Sequence, residues 1–204
     1  ILVADTVARV ASGLLVPTAG TVSVDGVDLT GRPAQDFARA GVVHAPEGRS
    51  VFASLTVEEN LLLPFRRQFG RAGTADALAR AYDLFPRIGE RRNQLAGTLS
   101  GGEQRMLTLA RALVLEPRLL IADELSLGLA PVITSEVYEV LARVRENGTA
   151  LLVVEQHLDH ALALASRVVV CAHGQVVAGG PTDEIDLSAV FASAGLPHDG
   201  EIVP

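Results

Sequence analysis

Short apolar runs without alternation constrain this chain more than any other feature. Leu119-Leu-Ile-Ala122 and Ala150-Leu-Leu-Val-Val154 are continuous rather than alternating, as strands covered on both faces are. Gly41-Val-Val-His-Ala45 reads as a third such strand. Between the first two, Val137, Val140, Leu141 and Val144 recur at helical spacing, and Asn147-Gly148 supplies a left-handed stop. Strand, helix, strand from Leu119 to Val154 is a βαβ unit, and a βαβ unit demands a parallel sheet. Further on, Arg167 to Ala172, a His-Gly turn and Gln175 to Ala178 predict an antiparallel hairpin. Thr21 to Asp25, before Gly26, predicts another short strand.

A chain of 204 residues suits one ordinary domain, or one with a small inserted subdomain, and can bury a sizeable core. Its single cysteine, Cys171, excludes a disulfide framework and fits a reducing compartment. A formal charge of -7 argues against a broad nucleic-acid footprint. Mean hydropathy is high at +0.32, yet no apolar run reaches the 18 or so residues of a membrane span. The apolar excess is therefore expected in buried strands or a partner interface. The sequence opens on Ile1 rather than Met, and its first residues read as the middle of something.

The stretch from Leu55 to Gly97 is different in kind. Thr56-Val-Glu-Glu59 is a capping box, predicting a helix through Phe65. An alanine-rich helix is expected from about Thr74 to Leu84, ended by Pro86. Arginines 66, 67, 71, 87, 91 and 92 cluster here with no strand signal. The segment reads as a helical subdomain inserted into an α/β body, its arginines forming a solvated face. The tail after Gly180 is poorly patterned.

Two motifs carry chemistry. Leu99-Ser-Gly-Gly-Glu-Gln104 precedes an apolar helical run from Met106 to Leu115. Ser-Gly-Gly opening a helix leaves unpaired, unobstructed backbone N–H groups at the positive end of the macrodipole, a cradle for phosphate. An ordinary N-cap with glycines for a turn is the plainer reading. Leu119-Leu-Ile-Ala-Asp-Glu124 then puts two carboxylates at the C-terminal end of a strand, where open α/β sheets bind ligands. Asp123 is placed to hold Mg²⁺, directly or through water, and Glu124 to orient or deprotonate an attacking water. The plainer reading of that pair is a solvated strand end.

Together these residues resemble the nucleotide-binding subunit of an ATP-binding cassette (ABC) transporter. Leu99 to Gln104 is similar to the family's signature motif, Leu119 to Glu124 to its Walker B strand, and Ser126-Leu-Gly-Leu129 to its D-loop. His44-Ala-Pro-Glu-Gly-Arg-Ser-Val-Phe52, Leu55 to Leu61, Leu127 to Pro131 and Val154-Glu-Gln156 resemble more narrowly the branched-chain amino acid import ATPases of LivF-like type, with urea-import ATPases close by. The resemblance implies a P-loop NTPase fold, α/β with a mainly parallel sheet. It also implies a division of the chain. Residues 1–54 are the first part of the nucleotide-binding core with the Q-loop, 55–98 a helical subdomain, 99–180 the signature helix, Walker B, D-loop and switch region, and 181–204 a tail.

The same resemblance implies ATP and Mg²⁺ as ligands. Thr6, Glu47, Ser100, Gly101, Gly102 and Gln104 would bind nucleotide, Asp123 and Glu47 the metal, and Glu124 and Gln156 would be catalytic. Gln156 aligns with the switch histidine; it can donate a hydrogen bond to a γ-phosphate but cannot relay a proton. His157 and His160 read as helix-start and solvent-facing residues. Expected partners are integral-membrane permease subunits, which the helical arginines would contact, and a second ATPase subunit paired head to tail. The expected location is peripheral, on the cytoplasmic face of the cell membrane.

One departure matters. A P-loop, G-x-x-x-x-G-K-[ST], wraps phosphates in backbone N–H groups and adds a lysine and a hydroxyl. It is not in this sequence. Aligning Ala8 to Leu15 with the helix after that loop puts Thr6 at the second hydroxyl, Asp5 at the Mg²⁺-binding hydroxyl, Ala4 at the lysine and Val3 at the preceding glycine. Two explanations compete: the early strands and most of the loop lie upstream of Ile1, or the loop is degenerate. On the second, these residues turn over no ATP, and the subunit lends its signature motif in trans to a partner. A smaller departure is Leu125, where a proline usually follows the catalytic glutamate.

Overall fold

Both faces of the central strand are covered, and this sets the architecture. The computed structural model describes residues 2–46, 50–155 and 158–195, with side chains from Asp5 onward. The chain opens with helix α1 (Leu2–Ala11), a two-strand hairpin β1 (Ser23–Val24) and β2 (Val27–Asp28), and α2 (Ala34–Arg39). Strand β3 (Val42–Ala45) leads to the long α3 (Val57–Leu84) and short α4 (Pro86–Glu90). Then α5 (Gly101–Leu113), β4 (Leu119–Asp123), α6 (Pro131–Glu146) and β5 (Ala150–Val154) follow. Helix α7 (Leu158–Leu164), the strands β6 (Arg167–Ala172) and β7 (Gln175–Pro181), and α8 (Leu187–Ala194) close it.

Strands β3, β4 and β5 form a parallel sheet with β4 in the middle. The register runs from Val42 opposite Leu119 to Ala45 opposite Ala122, and from Leu119 opposite Ala150 to Asp123 opposite Val154. Alternation then divides β4 between two cores. Leu120 and Ala122 join Met106, Leu107, Leu109 and Ala110 of α5, while Ile121 joins Ala8, Phe37 and Val42 beneath α1 and α2. The expected βαβ unit is thus present, and Asn147 caps α6 before Gly148 at φ +94°.

Elsewhere the elements differ in extent from their sequence signals. The Thr21–Asp25 segment forms only two strand residues, because Asp25 and Gly26 take positive φ and turn the chain at once into β2. Helix α1 ends at Ala11, short of Leu15, where Gly13 turns left-handed at φ +71°. A Cβ on Gly13 would lie 2.3 Å from Cδ2 of Phe37, so no larger residue fits there. The two helices expected between Thr56 and Leu84 run together as α3, with non-helical backbone at Gly70. Among the described residues no helix is long and apolar enough to cross a membrane.

The helical segment is tied to the body through a buried amide. Fully buried Asn60 accepts from the Phe52 N–H at 2.8 Å and donates to the carbonyls of Thr56 and Phe52 at 2.9 and 3.1 Å. Its helix starts on the predicted capping box, Thr56 and Glu59 satisfying each other's backbone N–H groups. Glu59's carboxyl is accordingly held below its ordinary value, chiefly by the Thr56 hydrogen bonds. Asn60→Ala strands the Phe52 N–H and should cost about 2–4 kcal/mol in chemical denaturation.

Candidate functional site

The site lies where β3, β4 and β5 end. Asp123 is the last residue of β4 and only 3% exposed, and Glu124 follows it at 7%. Glu124 adopts φ +45°, in the left-handed region that costs a non-glycine residue about 1–3 kcal/mol. Two bonds hold it there: its N–H donates to the Val154 carbonyl at 2.8 Å, and its carbonyl accepts from Nη2 of Arg105 at 3.0 Å. Arg105, 6% exposed on α5, also reaches the Pro46 carbonyl at 2.9 Å. One guanidinium therefore spans the ends of β3 and β4. Leu125, which the sequence marks as a departure from proline, is fully buried in the main core and pins the turn by packing instead.

Beside Asp123 sits His44 of β3, its side chain 8% exposed. The Ser12 hydroxyl donates to the Arg9 carbonyl at 3.2 Å and lies in hydrogen-bond contact with Nδ1 of His44, also at 3.2 Å. Its Nε2 has no hydrogen-bond partner and lies 4.0 Å from an Asp123 carboxylate oxygen. Burial pushes the His44 ring below its ordinary value, outweighing the upward pull of Asp5. Folded His44 therefore stays neutral where the unfolded ring, titrating near about 6.5, takes up a proton.

At the start of α5, Ser100 is the N-cap and Glu103 the third helical residue of a second capping box. The Glu103 carboxylate accepts from the Ser100 N–H at 2.9 Å and from its hydroxyl at 2.8 Å, and pairs with Arg91 at 2.5 Å. Burial opposes ionisation of Glu103, but the Ser100 bonds and Arg91 hold its carboxyl below the ordinary value. Ser100 and Gly101 are exposed, and a Cβ on Gly101 would meet nothing within 4 Å, so the helix start is open to an incoming group. Gly102 is closer to its surroundings: a Cβ there would lie 3.1 Å from Ile133 on α6. Gln104 points inward, 3% exposed, its Nε2 donating to the carbonyls of Ala96 and Leu99 at 3.0 and 3.2 Å. It braces the turn before the signature segment rather than facing its open side.

Of the remaining candidates, Thr6 lies exposed on α1. Glu47, Gln156 and His157 fall outside the described residues. His160 is not a free surface group: it is half-buried and stacks on Tyr138, ring centroids 5.2 Å apart. The helical arginines are exposed as expected, and Arg87 and Arg91 reach Glu136 and Glu103.

Three residues near the site have no role assigned by the motifs. Arg105 sits between the Leu99–Gln104 motif and the apolar helical run from Met106. His44 stands in a predicted strand and opens the 44–52 resemblance, neither of which gives its ring a role. Glu155 ends the apolar run of β5 as Asp123 ends that of β4, so the same strand-end logic applies to it. Its carboxylate accepts from Ser126 and Tyr138, and burial, followed by that carboxylate, pushes the Tyr138 phenol up.

A family model described as ABC transporter matches residues 5–126, more than half of the chain. The chain belongs to the ABC transporter ATP-binding family. It is 42% identical over 160 residues to the high-affinity branched-chain amino acid transport ATP-binding protein BraG of Pseudomonas aeruginosa, covering 78% of this chain and 67% of BraG. A solved ATP-binding subunit of an ABC transporter superposes with TM-score 0.81 at 24% identity, over 94% of this chain and 82% of that one. A dimeric cassette solved in a post-hydrolysis state with ADP and Pi gives 0.74 at 22%, over 87% and 80%. At these identities the solved structures establish the fold, α/β and of the P-loop NTPase kind.

Two outcomes follow for the ABC site. Arg105→Met removes the guanidinium that satisfies the Pro46 and Glu124 carbonyls, and should cost about 2–4 kcal/mol by denaturant titration. Since His44 is neutral when folded, stability falls as pH drops below about 6.5, and His44→Leu should flatten that part of a thermal-melt pH series.

Proposed function

We propose that this chain is the ATP-hydrolysing subunit of an ABC importer, driving uptake of branched-chain amino acids. The observation that carries the reading is Glu124: a buried carboxylate in strained backbone, clamped at both its N–H and its C=O beside buried Asp123. Strain retained by two independent bonds is expected where a carboxylate must be aimed. The 42% identity to BraG supports branched-chain amino acids as the solute.

The residues fit Mg²⁺. Among the described residues no group of three or more His, Cys, Asp or Glu side chains gathers into a protein cage. Mg²⁺ bound with nucleotide needs only one or two carboxylates, the rest coming from phosphate oxygens and water, and Asp123 would be that carboxylate. When bound, the ion supplies charge neutralisation between the outer phosphates. Glu124 orients or deprotonates the water. Ser100 and Gly101, open on the surface, complete the nucleotide site of a second subunit paired head to tail, which accounts for a phosphate cradle with no enclosing wall of its own. Glu47 and Gln156 keep their assigned roles toward metal and γ-phosphate, and Thr6 toward nucleotide. Permease subunits dock on the helical segment 55–98, placing the protein at the cytoplasmic face of the membrane.

A second reading has its own observation. All 17 basic residues of this sequence are arginines, and Ala4 stands at the lysine position, so nothing in these residues supplies the phosphate-binding ammonium. A non-catalytic subunit would then lend Ser100 and Gly101 to an active partner.

Glu124→Gln in the full encoded protein separates the two. With Mg-ATP, the catalytic reading expects hydrolysis to fall about 10²–10⁴-fold and an ATP-bound dimer to accumulate by light scattering. Hydrolysis or dimerisation unchanged from the parent protein discards that reading in favour of the second.

A further inference from the structure

Beyond Asp123 and Val154 the β4–β5 ladder has no more strand residues, yet the two chains stay joined. The Glu124 N–H donates to the Val154 carbonyl. One residue on, the Glu155 side chain takes over from backbone. Its Oε1 accepts from the Ser126 N–H at 2.9 Å and its Oε2 from the Ser126 hydroxyl at 2.7 Å. From the other side Tyr138 of α6 donates its hydroxyl to Oε1 at 3.0 Å, and its ring stacks on His160 of α7. Ser126 and Tyr138 are buried, at 8% and 6% exposure. A single carboxylate thus receives three hydrogen bonds, two from the turn after β4 and one from α6.

We infer that Glu155 is a positioning residue: it holds the 124–129 turn against the end of β5, so that Glu124 keeps one geometry relative to that strand end. It rests on the reading above that Glu124 acts on the attacking water. Glu155 touches no reacting atom. It works by denying the turn its freedom. Glu124 is strained at φ +45°, and a strained residue persists only while its surroundings over-determine it. Of the bonds that hold this turn, Val154 and Arg105 grip Glu124 itself, and Glu155 grips the residue two further on. Ser126 begins the stretch that resembles the D-loop, and Glu155 precedes the switch position. The carboxylate therefore ties the start of the D-loop-like stretch to the end of β5.

The bonding pattern predicts which substitution is harmless. The Ser126 N–H, which can only donate, and the Tyr138 hydroxyl both meet Oε1. Oε2 meets only the Ser126 hydroxyl, which can turn round to accept. Glu155→Gln with its oxygen at Oε1 and its NH₂ at Oε2 keeps all three bonds. Glu155→Ala keeps none. A carboxylate acting through its charge or its proton would fail in both variants.

The test is amide hydrogen exchange on the full encoded protein with Glu155→Gln, Glu155→Ala and Tyr138→Phe, read at the peptide spanning Ser126. Glu155→Ala should raise exchange there by about tenfold or more, Tyr138→Phe by less, and Glu155→Gln should stay near the parent value. Tyrosine emission, compared with and without Tyr138, gives a second signature. A carboxylate accepting a phenol hydrogen bond quenches it, so emission rises in Glu155→Ala, and with Tyr138→Phe as background the rise disappears. If Glu155→Ala does not fold, Ser126→Ala, which breaks only the hydroxyl bond, takes its place and should raise exchange at the same peptide. Unchanged exchange in every folded variant, or Glu155→Gln as perturbed as Glu155→Ala, overturns the inference. Turnover is read alongside: loss of aim lowers kcat for ATP by up to about a hundredfold with KM within about threefold, restored by Glu155→Gln. Normal kcat in Glu155→Ala overturns the coupling. A parent protein that hydrolyses no ATP counts against the proposed function alone, because the exchange pattern does not depend on turnover.

Discussion

The site depends on one buried guanidinium. Arg105 leaves α5, crosses to the ends of β3 and β4, and satisfies the carbonyls of Pro46 and Glu124. A charge taken this far out of water is tolerated only when its donors are used, and the fixed fork of a guanidinium can serve two chains at once where an ammonium would serve a point. Through Arg105 the helix that starts at Ser100 is docked against the strand that ends at Asp123. The open helix start at Ser100 and the acidic strand end therefore belong to one rigid arrangement.

Around that contact buried and half-buried polar residues share a logic. Asn60, Gln104, Arg105 and Glu155 each bind backbone in loops that regular ladders do not reach, at the turns before and after helices and strands. Irregular backbone near a site must be satisfied by something, and here side chains do it. The capping boxes at Thr56 and Ser100 are the local version of the same device. In the second, Glu103 also takes Arg91, so an arginine of the helical segment reads directly onto the signature turn. Movement of that segment would be felt at Ser100.

Much of this was legible in one dimension. The unbroken apolar runs 119–122 and 150–154, the helical spacing of Val137 to Val144 and the two capping boxes are properties of residues within a few positions of one another, and each element formed where its pattern stood. Asp123 and Glu124 were legible because a strand end is a local event. Less legible were element lengths. Gly13 stops α1 early because Phe37, distant in sequence, fills the space beside it, and Gly70 bends α3 without ending it. Gln104 belongs to a motif that implied nucleotide contact, yet its amide turns toward Ala96 and Leu99, because the turn before the helix needs donors.

By itself, then, the sequence determined the parallel α/β class, the placement of carboxylates at a strand end and of open N–H groups at a helix start, since each follows from periodicity or from neighbours along the chain. Only the tertiary structure decided that Glu124 takes left-handed backbone, that His44 faces Asp123 with an unpartnered nitrogen, and that Glu155 joins Ser126 to Tyr138. Those are meetings between residues 17 to 79 positions apart. No local pattern encodes them, because what brings the partners together is the packing of helices on both faces of one short sheet.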